Sequence, residues 1–257
     1  MEDEDWPPAR EVVSRSPAKT VRVLNLRGVL DAPIECESKF ERDFVYRAAL
    51  CPGLLRLRHQ PFRLTLSTGR RYTPDFLAVH RDGRVAVFEV KPKKKVAQYQ
   101  AIFSEVAQRL EARGFTFSVV TEEHIRYNKT HERAALILRY RKTLPDPRDV
   151  DRIQDVLAWH GGAMPIAALI KHASVPQEVL FHLFTRRVVV TSRDLPVAGN
   201  ARVRLFNDLE NHHAIRSEGW LGVSPWKATP RGDTRPGRQR GSISGRPDAS
   251  SSNDQDF

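Results

Sequence analysis

The apolar positions of this chain follow two periods. Behind Ser38, residues Phe40, Phe44, Val45, Ala48 and Ala49 recur at helical spacing, and Pro52-Gly53 closes the run, which predicts a helix with one apolar face. Ser38 followed by Glu41 fits a capping box, with Ser as N-cap and Glu at N3. Over 54–57, 62–66, 72–79 and 85–90 the apolar residues instead alternate or run in short blocks, separated by Ser67-Thr68-Gly69 and Arg81-Asp82-Gly83. That stretch reads as a β-meander. Helical spacing returns over 94–113 through Val96, Tyr99, Phe103, Val106 and Leu110, with Gly114 placed to end it. A strand over 115–120 follows, and a strand–helix–strand step of this kind predicts parallel pairing. A further helix is expected from about Thr130 to Lys142.

Leu144-Pro145-Asp146-Pro147 reads as a linker. Beyond it the pattern predicts helices over 149–159, 166–172 and 175–185, the last capped by Ser174 with Gln177. A hairpin of Val188-Val189-Val190 and Val203 to Phe206 comes next. Three helices and a hairpin is winged-helix order. The chain therefore divides into a flexible arm (1–20), an α/β domain with a mixed central sheet (21–144), a small winged-helix-like domain (145–216) and a disordered tail (217–257). The tail is rich in Ser, Gly, Pro, Arg and Asp. Within the second part, residues 21–37 carry a short apolar stretch that pairs or lies across the core.

Composition narrows the function classes. Lys and Arg outnumber Asp and Glu by 42 to 31, which favours a polyanionic partner such as nucleic acid. Cys36 and Cys51 lack metal-site spacing and read as reduced thiols. The nine histidines form no HExxH cluster, so zinc-hydrolase chemistry is not indicated. The acidic start Met1-Glu2-Asp3-Glu4-Asp5 does not resemble a signal peptide, and no apolar run approaches a membrane span. A cytoplasmic protein with no membrane partner is expected, nucleoid-associated when bound to DNA.

The chemistry concentrates in Tyr72-Thr73-Pro74-Asp75-Phe76 and, one turn later, Phe88-Glu89-Val90-Lys91. An acid, a hairpin and Glu-x-Lys is the arrangement of a metal-dependent nuclease. A two-residue turn at Asp82-Gly83 would set Asp75 opposite Val90. A three-residue loop, Arg81-Asp82-Gly83 with Gly83 left-handed, sets Asp75 opposite Glu89. In that register Asp75, Glu89 and Lys91 share one face. Asp75 and Glu89 would hold Mg²⁺ or Mn²⁺, with the Val90 carbonyl as a possible further ligand. Lys91 would orient or help deprotonate a water, or stabilise the transition state. Lys93, Lys94 and Lys95 follow as a phosphate-binding rim.

Further candidates have competing explanations. Glu41 is already accounted for by the capping box, yet is placed to serve as a third carboxylate, with Glu37 its nearest competitor. Gln60 either touches the site from the neighbouring strand or sits at the core edge. Arg70 and Arg71, with Arg56, Arg58 and Arg63, lie in a stretch without acids from Gly53 to Pro74, which suits a DNA-facing strand pair. Gln177, His182, Arg186 and Arg187 either read a groove or contact protein.

Ser38-Lys39-Phe40-Glu41-Arg42-Asp43, His59-Gln60-Pro61, Tyr72-Thr73-Pro74-Asp75-Phe76 and Phe88-Glu89-Val90-Lys91-Pro92 together resemble TnsA, the endonuclease subunit of heteromeric cut-and-paste transposases. The similarity spans about residues 38–125 and is much weaker over 146–206. It implies a restriction-endonuclease-like fold, catalytic acids at Glu41 and Asp75, and a catalytic lysine at Lys91. Some members carry Gln at the position of Glu89. The resemblance also implies cleavage at transposon 5′ ends in double-stranded DNA. A separate DDE transposase would act on the 3′ ends, and an AAA+ ATPase regulator would contact the nuclease. Two other functions fit the same residues: a restriction or repair nuclease of this fold, and a non-catalytic DNA-binding or scaffolding protein.

Overall fold

The structure, a computed structural model, describes residues 21–206 and 216–227. The arm expected over 1–20 and the tail beyond 227 lie outside the described residues. Its centre is a four-stranded sheet of β3 (Leu54–His59), β6 (Phe76–His80), β7 (Val85–Val90) and β8 (Thr116–Val120), in that order. β3–β6 and β6–β7 pair antiparallel, whereas β7–β8 is parallel. The sheet is mixed, and the strand–helix–strand step gives the parallel pair that its pattern predicts. All six residues of β7 are buried, as a central strand covered on both faces requires.

Alternation sends the side chains of β6 and β7 into two cores. Phe76, Ala78, Ala86 and Phe88 face α1 (Lys39–Ala49), where Phe44 stacks on Phe76 at 4.7 Å between ring centroids and meets Phe88 at 5.4 Å. Leu77, Val85 and Val87 face α3 (Gln100–Glu111), packing with Phe103, Val106 and Leu110. The helix expected over 94–113 is broken: α2 (Lys93–Val96) and a 3₁₀ turn (Ala97–Tyr99) precede α3. Gly114, at φ +75°, ends it as its composition predicts.

The expected meander is interrupted. β4 (Leu64–Thr65) and β5 (Arg71–Tyr72) form a separate two-stranded hairpin, and the run predicted over 72–79 divides around Thr73-Pro74. Proline has no N–H to give a ladder and is excluded from central strands. Residues 21–37 supply another hairpin, β1 (Arg22–Leu24) with β2 (Ile34–Cys36). After β8 a short α4 (Glu122–Arg126) precedes α5 (Thr130–Arg139). The pattern missed α4 because His124, not Glu or Gln, completes its capping box with Thr121.

The β6–β7 loop has the geometry needed to align the acids. Val79 pairs with Val85, the His80 N–H donates to the Arg84 carbonyl at 2.9 Å, and Gly83 sits at φ +78°. No atom lies within 4 Å of a Cβ built there, so a substitution would meet no clash and its cost is purely backbone. Gly83→Val is expected to lose about 1–2 kcal/mol of unfolding free energy and Gly83→Asn clearly less, as denaturant titration would show, because Asn tolerates this region and a β-branched residue does not. Equal losses would mean that the backbone strain is not the cause.

The C-terminal part contains α6 (Pro147–Trp159), β9 (Ala163–Pro165), α7 (Ile166–Ala173), α8 (Gln177–Arg186), β10 (Val189–Val190) and β11 (Arg202–Leu205). The strands form an antiparallel sheet in the order β10-β11-β9. Ser174 does not cap α8: at φ 52° it ends α7, and Pro176 occupies the N-cap without a side-chain bond.

Two of the residues considered for groove reading, His182 and Arg187, are engaged inside the protein. Residues Val179–Thr185 of α8 are all buried. His182 Nδ1 lies 3.1 Å from the Tyr140 carbonyl, and Phe181 meets the Tyr140 ring edge-on. Arg186 donates to the Gly28 carbonyl. Arg187 donates to the carbonyls of Leu54, Ala49 and Val29 at 2.9, 2.9 and 3.1 Å. A guanidinium that saturates three carbonyls is occupied. Gln177, at the start of the helix, and Arg186, at its end, are exposed. One apolar cluster runs from Phe44 and Phe88 through Ile153 and Leu180 to Val203, so the two parts share a core.

The tail expected from residue 217 does not begin there. Ser217–Leu221 form α9, and the described segment to 227 lies against the first domain. The Ser217 N–H donates to His80 Nε2 at 3.0 Å. Trp220 Nε1 donates to the Arg47 carbonyl at 2.8 Å, while Arg47 Nη2 returns a bond to the Trp220 carbonyl at 2.9 Å. The Trp226 N–H donates to the Phe117 carbonyl at 2.7 Å, covering part of the outer edge of β8. The average polarity of 217–257 conceals two buried or half-buried tryptophans at its start.

Candidate active site

Pairing of Phe76 with Phe88 places Asp75 and Glu89 one step further along the same two strands, opposite each other. The Val90 N–H donates to Asp75 Oδ2 at 2.7 Å. Glu89 is 3 % exposed, with both oxygens engaged. Lys91 Nζ lies 2.7 Å from Oε1, and the Tyr72 hydroxyl donates to Oε2 at 2.7 Å. The Lys91 ammonium also stands 5.0 Å from the centre of the Tyr99 ring.

Glu41 reaches this group from the first turn of α1. Its N–H donates to Ser38 Oγ at 3.1 Å, as the capping box predicts. The reciprocal bond differs, because Glu41 Oε2 accepts from the Glu37 N–H at 2.8 Å and not from that of Ser38. Gln60 stands at the edge. Its backbone takes φ +43°, uncommon for a residue with a side chain. Its N–H donates to the Asp75 carbonyl at 2.8 Å and its Nε2 to Glu37 Oε1 at 3.1 Å.

The electrostatics follow from crowding. Burial, then the charges of Glu89 and Glu41, push the Asp75 carboxyl well above the ordinary range, against the opposing Val90 N–H and Lys91. Burial is also the main cause that raises Glu41, with Glu37 and Glu89 adding and its hydrogen bonds opposing. Burial works to depress Lys91, but the charge and hydrogen bond of Glu89, with Asp75, outweigh it and raise its pKa. Burial, Glu41 and Asp75 hold the Cys36 thiol far above the usual range, so it stays an inert thiol.

The remaining candidates spread around this centre. Lys93, Lys94 and Lys95 are exposed on α2, with Lys93 Nζ 2.7 Å from Glu123. Arg70 and Arg71 are exposed on the β4–β5 hairpin. Arg58 instead makes two 2.8 Å bonds to Asp31, with Arg56 3.9 Å away, so part of the basic stretch is neutralised locally. Sequence reasoning missed Tyr72 as a member of the site. Its place in the motif was visible, but its reach to Glu89 depends on the separate hairpin.

The donor chemistry fits a hard divalent cation. Burial first, and the charges of Glu89 and Glu41 next, raise Asp75, a stress that a cation would relieve. Among the described residues, however, no group of three or more acidic, imidazole or thiol side chains is gathered closely enough to form a ready-made metal site.

The chain is thus an α/β protein in which two carboxylates and a lysine meet at the end of a mixed sheet packed between helices. Residues 52–122 match the family model described as TnsA-like endonuclease N terminal, so the resemblance read from the motifs holds over this segment. The match contains Asp75, Glu89 and Lys91 and begins after Glu41. A search of curated proteins found no match.

Proposed function

We propose that this protein is the metal-dependent endonuclease subunit of a heteromeric cut-and-paste transposase, cleaving DNA at transposon ends, at the 5′ strands. The observation that carries the reading is the convergence of Asp75, Glu89 and Lys91 on one strand end inside the segment that matches the TnsA-like model.

Asp75 and Glu41 would supply hard oxygen ligands, joined by Glu89 once Lys91 turns away, with the Val90 carbonyl beside them. A bound Mg²⁺ or Mn²⁺ would neutralise charge on the scissile phosphate and acidify a coordinated water. Lys91 has its pKa raised from an already high value, so near neutral pH it is an ammonium. Turned toward the phosphate, it would orient or help deprotonate the attacking water, or stabilise the transition state. Lys93, Lys94, Lys95, Arg70 and Arg71 would follow the duplex backbone, and Gln60 would hold Glu37 beside the cluster.

The partners in this reading are double-stranded DNA, a DDE transposase and an AAA+ ATPase regulator. The order α6-β9-α7-α8-β10-β11 and the strand order β10-β11-β9 support a winged-helix-like assignment for the C-terminal part. The middle of its third helix, Val179–Thr185, is buried, so contacts with partners would use the exposed ends of that helix or other surfaces. Among the described residues no helix is long and apolar enough to cross a membrane. The reading places the protein in the cytoplasm, nucleoid-associated when bound to DNA.

The test is cleavage of duplexes carrying the transposon ends, with the partner transposase, in Mg²⁺ or in EDTA. Nicks at the 5′ ends that need both the cation and the partner are expected. Cation-dependent cutting of any duplex by the chain alone would point to a restriction or repair enzyme. Duplex binding without cutting under every condition would point to a scaffold.

A further inference from the structure

We infer that Tyr72 is a positioning residue: its hydroxyl fixes the Glu89 carboxylate so that only Oε1 remains to be exchanged between Lys91 and a divalent cation. The inference rests on the nuclease reading above and assigns a role to a residue outside the acid-and-lysine set.

The geometry carries it. Glu89 is buried at the end of a central strand, where an ionised carboxylate needs partners for both oxygens. Oε1 has the Lys91 ammonium at 2.7 Å and Oε2 has the Tyr72 hydroxyl at 2.7 Å. The two partners differ in freedom. Lys91 ends a flexible four-carbon stem, is partly exposed, and can swing toward a phosphate. Tyr72 is held by its ring, which packs against the cluster of Leu64, Leu77 and Phe103. The phenol therefore stays while the ammonium leaves, and Oε1 is the oxygen released.

The hairpin bearing Tyr72 is fastened at both ends. Its ladder pairs Leu64 with Tyr72 and Thr65 with Arg71, and the Leu66 N–H donates to the Arg70 carbonyl at 2.8 Å. At the tip, Ser67 gives its N–H and its hydroxyl to the two oxygens of Glu105 at 2.6 and 2.8 Å. At the base, the Tyr72 hydroxyl bonds Glu89 at 2.7 Å. Arg71, adjacent to Tyr72, is exposed. A backbone phosphate held by Arg71 would thus lie one residue from the group that orients Glu89.

The experiment compares the full chain with Tyr72→Phe, which removes one oxygen and keeps the ring. Mn²⁺ binding is measured by calorimetry, duplex affinity without metal, and single-turnover cleavage with the partner subunit present. Partners of metal ligands commonly account for about 10–100-fold in affinity or activity. Tyr72→Phe is expected to weaken Mn²⁺ binding within that range and to slow cleavage similarly, with duplex affinity unchanged and the chain folded at a lower melting temperature, since buried Glu89 Oε2 loses its partner. Wild-type Mn²⁺ affinity and rate in a folded Tyr72→Phe would overturn the inference alone. So would a loss of duplex affinity matching the loss of rate, which would make Tyr72 a DNA contact. If the wild-type chain itself binds no Mn²⁺, the nuclease reading fails and the role of Tyr72 fails with it.

Discussion

Asp75→Asn is expected to abolish the thermal stabilisation by Mg²⁺, to reduce strand cleavage by at least about 10²-fold, the scale of losing one preorganised electrostatic group, and to melt above wild type in metal-free buffer at pH 8. The last effect has the least obvious sign. The folded-state pKa of Asp75 is raised, by burial first and by Glu89 and Glu41 next. A carboxyl so shifted contributes stability in its neutral form. That contribution is fully present below the ordinary carboxylate range and is lost as the pH rises through the folded value. Asn is the permanent neutral form, and its side-chain oxygen can still accept from the Val90 N–H that now bonds Asp75 Oδ2. The metal-free variant therefore escapes the alkaline loss, and the gap between variant and wild type should widen as the pH rises from the ordinary carboxylate range through the raised folded value. Adding Mg²⁺ should reverse the order by stabilising only wild type. Melting curves at several pH values, with and without Mg²⁺, give all four comparisons. Equal stabilisation of both proteins by Mg²⁺ would move any cation site away from this hairpin.

Trp220→Ala is expected to lower unfolding free energy by about 3–5 kcal/mol, the usual range for truncating a large buried aromatic. Trp220 is 4 % exposed and exchanges two hydrogen bonds with Arg47. Arg47 is itself 1 % exposed, donates to the His124 carbonyl as well, and has its pKa pushed down to about 10 by burial, with the charge of Arg193 next. Removing the indole opens a cavity against α1 and uncovers that guanidinium. Trp220→Phe keeps most of the volume and loses mainly one bond to the Arg47 carbonyl, so about 1–2 kcal/mol is expected. Denaturant titration separates the two. A loss below about 1 kcal/mol for the alanine variant would show that residues 217–227 detach without consequence.

The site was more legible in the sequence than the scaffold that supports it. Gly83 in a three-residue loop was enough to choose the register that aligns Asp75 with Glu89, because one residue more or less in a hairpin turns every side chain over. Burial of β6 and β7 followed from their unbroken apolar runs. Long-range partners were less accessible. Periodicity shows that Val179, Leu180, Phe181, Leu183 and Phe184 are apolar around most of a helix, which signals burial, but it does not identify α5 and Tyr140 as the cover. The two arms of Glu41 show the same limit. Its N–H bond to Ser38 is local and predictable, whereas its carboxylate settles one residue earlier, on Glu37, within the crowded acids. Trp220 and Trp226 were hidden for a related reason, since a segment average dilutes two large side chains among many small polar ones.

Arg187 carries a consequence for how a cut would be aimed. By gripping the carbonyls of Val29, Ala49 and Leu54 together, it ties the C-terminal part to the strand-and-helix frame beneath the acids. A tethered module would let the cleavage centre wander relative to anything held by the far sheet. Here the two are parts of one jig, so the placement of β9–β11 relative to Asp75, Glu89 and Lys91 is a property of the packed fold and not of a linker's length.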